Sequence, residues 1–175
     1  MKNTIILFVA MIALLVPTSK AQEKGNRYIG GNMKLAISST GSNGYMSTGT
    51  YFSIAPEFGY FIADRVKAGV GISYEVSSNA HVIAVTPNIA YYQLIVDKLY
   101  YTPQLYIGGG IGIYSGYVAG IFTLSLELAS FEYRPTEKLG ISTSMINLNY
   151  NLIDKTKSFN FNALYSPSIG LHYYF

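Results

Sequence analysis

The chain has 175 residues, enough for one domain, and half of them are hydrophobic while only 12% are charged, against about 25% in soluble domains. That leaves too little charge for a solvated exterior. The formal charge is +3; with Lys2 and Lys20 set aside in a segment expected to be removed, ten basic and nine acidic residues leave +1, and no basic patch invites nucleic acid. The absence of cysteine excludes a disulfide, a thiolate metal site and a lipid-modified N-terminal cysteine.

Met1 to Ala21 reads as a secretory signal peptide. Lys2 supplies the positive end, Ile5 to Val16 the apolar run, and Ser19-Lys20-Ala21 the small residues of a cleavage site. The run is too short to span a bilayer, which takes about 20 residues. The mature protein is expected to begin at Gln22 and to form one domain, 22–175, without a membrane helix.

Eight segments then alternate with a period of two, the mark of extended strands with two unlike faces. From Arg27, one face carries Ile29, Met33 and Leu35 and the other Tyr28, Asn32 and Lys34. Gly41-Ser-Asn-Gly44 breaks that strand. Phe52, Ile54, Pro56, Phe58 and Tyr60 oppose Ser53, Ala55, Glu57 and Gly59. After the turn Ala63-Asp64-Arg65, Val66, Val70, Ile72 and Tyr74 oppose Lys67, Gly69, Ser73 and Glu75. Ser77-Ser-Asn79 turns into a fourth strand, His81 to Tyr92, and Asp97-Lys98 marks the next turn. Leu105, Ile107, Ile111 and Ile113 then oppose Gln104, Tyr106, Gly108 and Gly110. Beyond Ser115-Gly116, Phe122, Leu124, Leu126 and Leu128 oppose Thr123, Ser125, Glu127 and Ala129. Arg134 to Lys138 reads as a solvated turn. Leu139 to Tyr150 slips phase near Met145-Ile146, as at a bulge. A polar loop, 151–158, leads to the closing strand, where Phe159, Phe161, Ile169, Leu171, Tyr173 and Phe175 share a face.

The face opposite the apolar one holds mostly Gly, Ser, Ala, Asn and Tyr. It makes a poor solvent surface but suits the narrow interior of an eight-stranded barrel. The apolar face then meets lipid. Once each strand's phase is set by its apolar residues, the charged residues within strands, Lys34, Glu57, Lys67, Glu75 and Glu127, all fall inward. A Lys or Arg on the lipid face near the midplane costs about 2–4 kcal/mol. The expected fold is therefore all-β, an eight-stranded antiparallel up-and-down transmembrane β-barrel. Tyr60, Phe61, Tyr91, Tyr92, Tyr100, Tyr101, Tyr133, Tyr173 and Phe175 cluster beside the short charged turns and the C-terminus, where an interfacial girdle belongs. The connections on the opposite side fall near 39–50, 77–80, 114–117 and 151–158.

The final residues, Ser168, Gly170, Tyr173 and Phe175, resemble the C-terminal signal of bacterial outer-membrane proteins, which the β-barrel assembly machinery reads. With Pro56-Glu-Phe-Gly-Tyr-Phe-Ile-Ala-Asp64 and Gly69-Val-Gly-Ile-Ser-Tyr74, nearly all the mature chain resembles small outer-membrane barrels of the OmpX/OmpA-barrel type, most of all the porin-family barrels of Bacteroidetes. The resemblance implies residence in the outer membrane, contact with its lipid, assembly by that machinery and a monomer; it says little about activity.

Chemistry-bearing residues are few. His172 is read as a packed lumen residue and His81 lies beside an outer loop. Neither is followed two residues later by serine, as in the lipid A deacylases among eight-stranded barrels. No base–nucleophile pair or ligand cluster is visible, so no enzyme, metal or cofactor is expected. Gly108-Gly-Gly110 precedes no helix and is not a nucleotide loop. The five inward charges form an internal network that stiffens the barrel or, alternatively, lines a narrow ion path. The leading expectation is a structural or surface-interaction barrel, with a small pore and a lipid-modifying enzyme as alternatives.

Overall fold

The computed structural model describes residues 23–42, 45–78, 80–154 and 156–175. The segment read as a signal peptide lies outside the described residues, as do the turn positions Gly44 and Asn79. Ten strands follow one another: β1 (Arg27–Ser42), β2 (Tyr45–Ala63), β3 (Val66–Ser77), β4 (Ala80–Tyr91), β5 (Gln93–Val96), β6 (Leu99–Tyr101), β7 (Gln104–Tyr114), β8 (Tyr117–Tyr133), β9 (Leu139–Ile153) and β10 (Thr156–Tyr174). Eight of them close a ring in the order β1-β2-β3-β4-β7-β8-β9-β10, with β10 returning to β1. Every neighbouring pair is antiparallel, and β1 meets β10 through Tyr28↔Tyr174 to Met33↔Ile169. The short β5 and β6 prolong β4 and β7, with β6 pairing with β8 through Leu99↔Tyr133. Closure leaves no exposed sheet edge along the ring.

The barrel has two ends. The base carries the turns at 64–65, 97–98 and 134–138 and the first and last described strand ends; the mouth carries the hairpins after β1, β3, β7 and β9. Three of the turns use backbone that only glycine and a few others adopt easily. Ser115 and Gly116 both have positive φ, 41° and 99°, as a two-residue type I′ hairpin demands. Arg65 and Lys98 likewise sit at φ 65° and 64°.

The expected faces are observed. Outside, Phe58 is 64% exposed, Ile169 67% and Leu124 39%, whereas inside Glu57 is 5% exposed and Glu127 7%. An outer surface built of Ile, Leu, Val and Phe is stable only against lipid tails, since in water each such side chain would forgo about 1.5–3 kcal/mol of burial. The barrel therefore spans a membrane.

Three expectations are corrected. The mouth connections near 39–50 and 151–158 are strand, not loop: β1 and β2 pair as far as Ser42↔Tyr45, and β9 and β10 as far as Ile153↔Thr156. Polar residues suit a strand whose two faces emerge from the membrane. Second, Phe61, Tyr92 and Tyr100 do not join the girdle: they point inward, 0%, 1% and 4% exposed. Tyr60, Tyr91, Tyr133, Tyr173 and Phe175 do face out at the base. Third, Ala129 does not continue the inward face of β8. The register of β8 against β9 shifts between Glu127 and Ala129 and again before Ser130. An extra residue on β8 and the one anticipated at Met145-Ile146 on β9 restore each other's register. Beyond them the inward residues are Ser130, Glu132 and Arg134.

Candidate functional site

The lumen has two halves of different character. Toward the base it is filled. Tyr28, Phe61, Tyr92, Tyr100 and Tyr174 form a buried aromatic cluster, with Phe61 edge-on to Tyr92 at 5.3 Å. Four charged residues are set into it. Lys67 Nζ donates to Glu57 Oε1 at 3.1 Å and lies 4.3 Å above the Tyr28 ring. Arg134 Nε donates to Glu132 Oε1 at 2.6 Å, its guanidinium 3.8 Å above Tyr174. The hydroxyls of Tyr92 and Tyr174 donate to Glu132 at 3.1 and 2.8 Å.

His172 joins the two ion pairs. Its Nε2 lies 3.1 Å from Glu57 Oε1 and its Nδ1 3.2 Å from Glu132 Oε2. The Nδ1 contact is poorly aligned for a hydrogen bond, leaving that nitrogen without a geometric partner; it is best described as a close polar contact. Two carboxylates face two basic side chains, Glu57 with Lys67 and Glu132 with Arg134, so the pairs balance in formal charge apart from the imidazole. Such a balanced cluster tolerates the interior because each charge is paired and hydrogen-bonded; losing one partner would strand the other.

Local sequence makes room for this cluster. A Cβ on Gly30 would run into the His172 ring, and one on Gly140 would come within 2.6 Å of Glu132 Oε1. The network also reaches the middle of the barrel, where Asn88 Nδ2 donates to Glu57 Oε2 at 3.1 Å and Gln104 Nε2 to Asn88 Oδ1 at 2.9 Å.

Toward the mouth the lumen is open. A cavity of about 710 Å³ runs from Glu127, Tyr106 and Asn147 at its floor to Thr50, Ser78 and Ile153 near the hairpins. Asn147, Asn149 and Asn151 alternate inward along β9, facing Ser125 and Thr123 of β8. Thr123 Oγ1 donates to Asn151 Oδ1 at 2.9 Å, Ser125 Oγ to Asn149 Oδ1 at 2.6 Å, and Asn149 Nδ2 to Asn147 Oδ1 at 2.7 Å.

The five charges expected to form one network are thus divided. Glu57 and Lys67 pair in the base. Lys34, Glu75 and Glu127 line the cavity instead, with Lys34 acting on Glu127 at longer range. Glu132 and Arg134, which complete the base cluster, escaped the sequence reading because the bulge on β8 reverses the phase after Glu127. The alternation Ser130, Glu132, Arg134 against Phe131 and Tyr133 carried the signal. Of the C-terminal residues, Ser168 and Gly170 face the lumen while Tyr173 and Phe175 face out, 46% and 63% exposed. His81 is exposed outside, its Nδ1 3.1 Å from the Tyr74 hydroxyl.

No protein-family model matches the chain, and no curated protein matches it. Among solved structures it is similar to Neisserial surface protein A (NspA), with 14% identity over 87% of this chain and all of that one, at a TM-score of 0.54. A de novo designed transmembrane β-barrel is 12% identical over 88% of this chain and 98% of that one, at a TM-score of 0.43. Ail, the attachment invasion locus protein of Yersinia pestis, solved with the heparin analogue sucrose octasulfate, is 12% identical over 87% of this chain and 99% of that one, also at 0.43. The first of these shows the fold: an eight-stranded barrel of the outer-membrane kind.

Proposed function

We propose that this chain is an integral outer-membrane β-barrel protein, closed at its base, with a structural or surface-interaction role in the envelope and no catalytic activity. The observation that carries the reading is the inversion of its two faces, with Phe58 and Ile169 outside and Glu57 and Glu127 inside. The base cluster favours a closed lumen over an ion path: it fills the cross-section with rings and locked ion pairs. Against an enzyme stand the histidines' partners, Tyr74 for His81 and Glu57 for His172.

The finer kinship is with the OmpX/OmpA-barrel type and the porin-family barrels of Bacteroidetes. It is supported by the phrases Pro56 to Asp64 and Gly69 to Tyr74. The outward Tyr173 and Phe175, with Ser168 and Gly170, supply what the assembly machinery reads on the closing strand. The barrel works as a monomer in outer-membrane lipid. Membrane fractionation with heat-modifiable gel migration tests the reading. The folded band belongs in the outer-membrane fraction; recovery in the inner membrane or the soluble fraction would overturn it.

A further inference from the structure

The two halves of the lumen use their inward positions differently. The base fills them with Tyr, Phe, Lys and Arg. The mouth half places Ala36, Ser53, Ala55, Ser73, Ala84 and Gly108 there and leaves about 710 Å³ empty. A lumen needed only for stiffness would be packed throughout, as the base is. The volume lies within the range of small-molecule pockets, about 300–1,000 Å³. The cavity ends blind on the base cluster, so what enters from the mouth is held and not passed on.

We infer that this vestibule binds a small neutral polyhydroxylated ligand, a mono- or disaccharide, entering from the mouth. Most of the residues that line it carry an amide or a hydroxyl, each offering donors and acceptors, as hydroxyl recognition requires. The ladder of Thr123, Ser125, Asn147, Asn149 and Asn151 fixes several of them in place. Asn151 accepts through Oδ1 and so keeps its amide hydrogens to donate. Tyr51, Tyr106 and Tyr114 add ring surface for the apolar faces of a sugar. Lys34 against Glu75 and Glu127 leaves no single-sign field strong enough to select a polyanion or polycation. The strands that present these groups are paired to neighbours on both sides, which limits the cost of ordering the site.

The inference rests on the closed-barrel reading, and its test separates the two. The full chain, folded in phosphocholine micelles free of sugar detergents, is screened by saturation-transfer NMR. The probes are glucose, galactose, N-acetylglucosamine, lactose and sucrose, with citrate and spermidine as charged comparators. The expected result is transfer to at least one neutral sugar, with amide shift changes confined to vestibule positions such as Thr123, Asn149 and Asn151. The joint change Thr123→Val and Asn151→Leu removes both partners of one hydrogen bond, so neither is left orphaned, and should weaken binding about tenfold. Absence of transfer to any sugar, preference for citrate or spermidine, shift changes on outward residues, or binding indifferent to the joint change would overturn the inference. If that variant loses heat-modifiable migration, the wild-type shift changes decide. Failure of the barrel reading would show separately, as loss of heat-modifiable migration in the wild-type chain.

Discussion

Glu132 is the residue on which the base depends. It accepts from Arg134, Tyr92 and Tyr174 and lies against His172, at 1% exposure. Glu132→Leu leaves Arg134 buried beside tyrosine rings without its anion and should cost about 3–5 kcal/mol. The joint change Glu132→Leu with Arg134→Leu should cost less than the single one, because no lone charge remains. Urea unfolding in lipid vesicles measures both. Gly140→Ala is a subtler probe, since its Cβ would meet Glu132 Oε1 at 2.6 Å. It should destabilise by about 1–3 kcal/mol through overpacking. The charges Glu57 and Lys67 were legible from alternation alone, because the two strands that carry them keep strict phase around them. What alternation could not supply was which inward charges touch. That depends on the stagger between strands, which sets Glu57 beside His172, 115 positions away in sequence.

At the scale of the strand, the decisive feature is the pair of bulges. The slip at Met145-Ile146 was visible because two large apolar residues adjoin there. Its counterpart on β8 was hidden, because Leu128-Ala129 breaks the pattern with a small residue that fits either face. Missing it turned Arg134 into a solvated turn residue. Phe61, Tyr92 and Tyr100 lie on other parts of the chain, and their expected place in the girdle has a separate cause. Aromatic residues next to charged turns suit both the interface and a base plug, and only inward or outward phase tells them apart. Deletion of Ala129 tests the role of the bulge. Removing this residue restores strict alternation from Glu127 through Leu128 to Ser130, so Ser130, Glu132 and Arg134 keep facing inward and only the extra residue on β9 is left unmatched. The variant should keep a heat-modifiable folded band, whereas deletion of Ser125, outside the bulge, turns Glu127 toward lipid and should yield none.

For the whole molecule, the fold and the outward turn of the apolar faces followed from the sequence because lipid leaves few solutions: every backbone group must pair within a closed sheet. The division of the lumen into a filled base and an empty vestibule was not legible. Small inward residues signal space in both a packed and a hollow barrel, depending on what reaches across. The filled base predicts that the folded protein shows no stepwise current in planar bilayers at high potassium chloride, and regular conductance steps would contradict a closed lumen. The most direct test uses the absence of cysteine, which allows single spin labels at Phe58, Leu124 and Ile169 and at Ser53 and Ser125 in the barrel reconstituted in lipid. The account predicts that the first three collide with oxygen dissolved in the bilayer and are shielded from a water-soluble nickel chelate, while the two serine positions are shielded from the bilayer. Labels at Ser53 and Ser125 exposed to lipid, with those at Phe58, Leu124 and Ile169 protected, would contradict it.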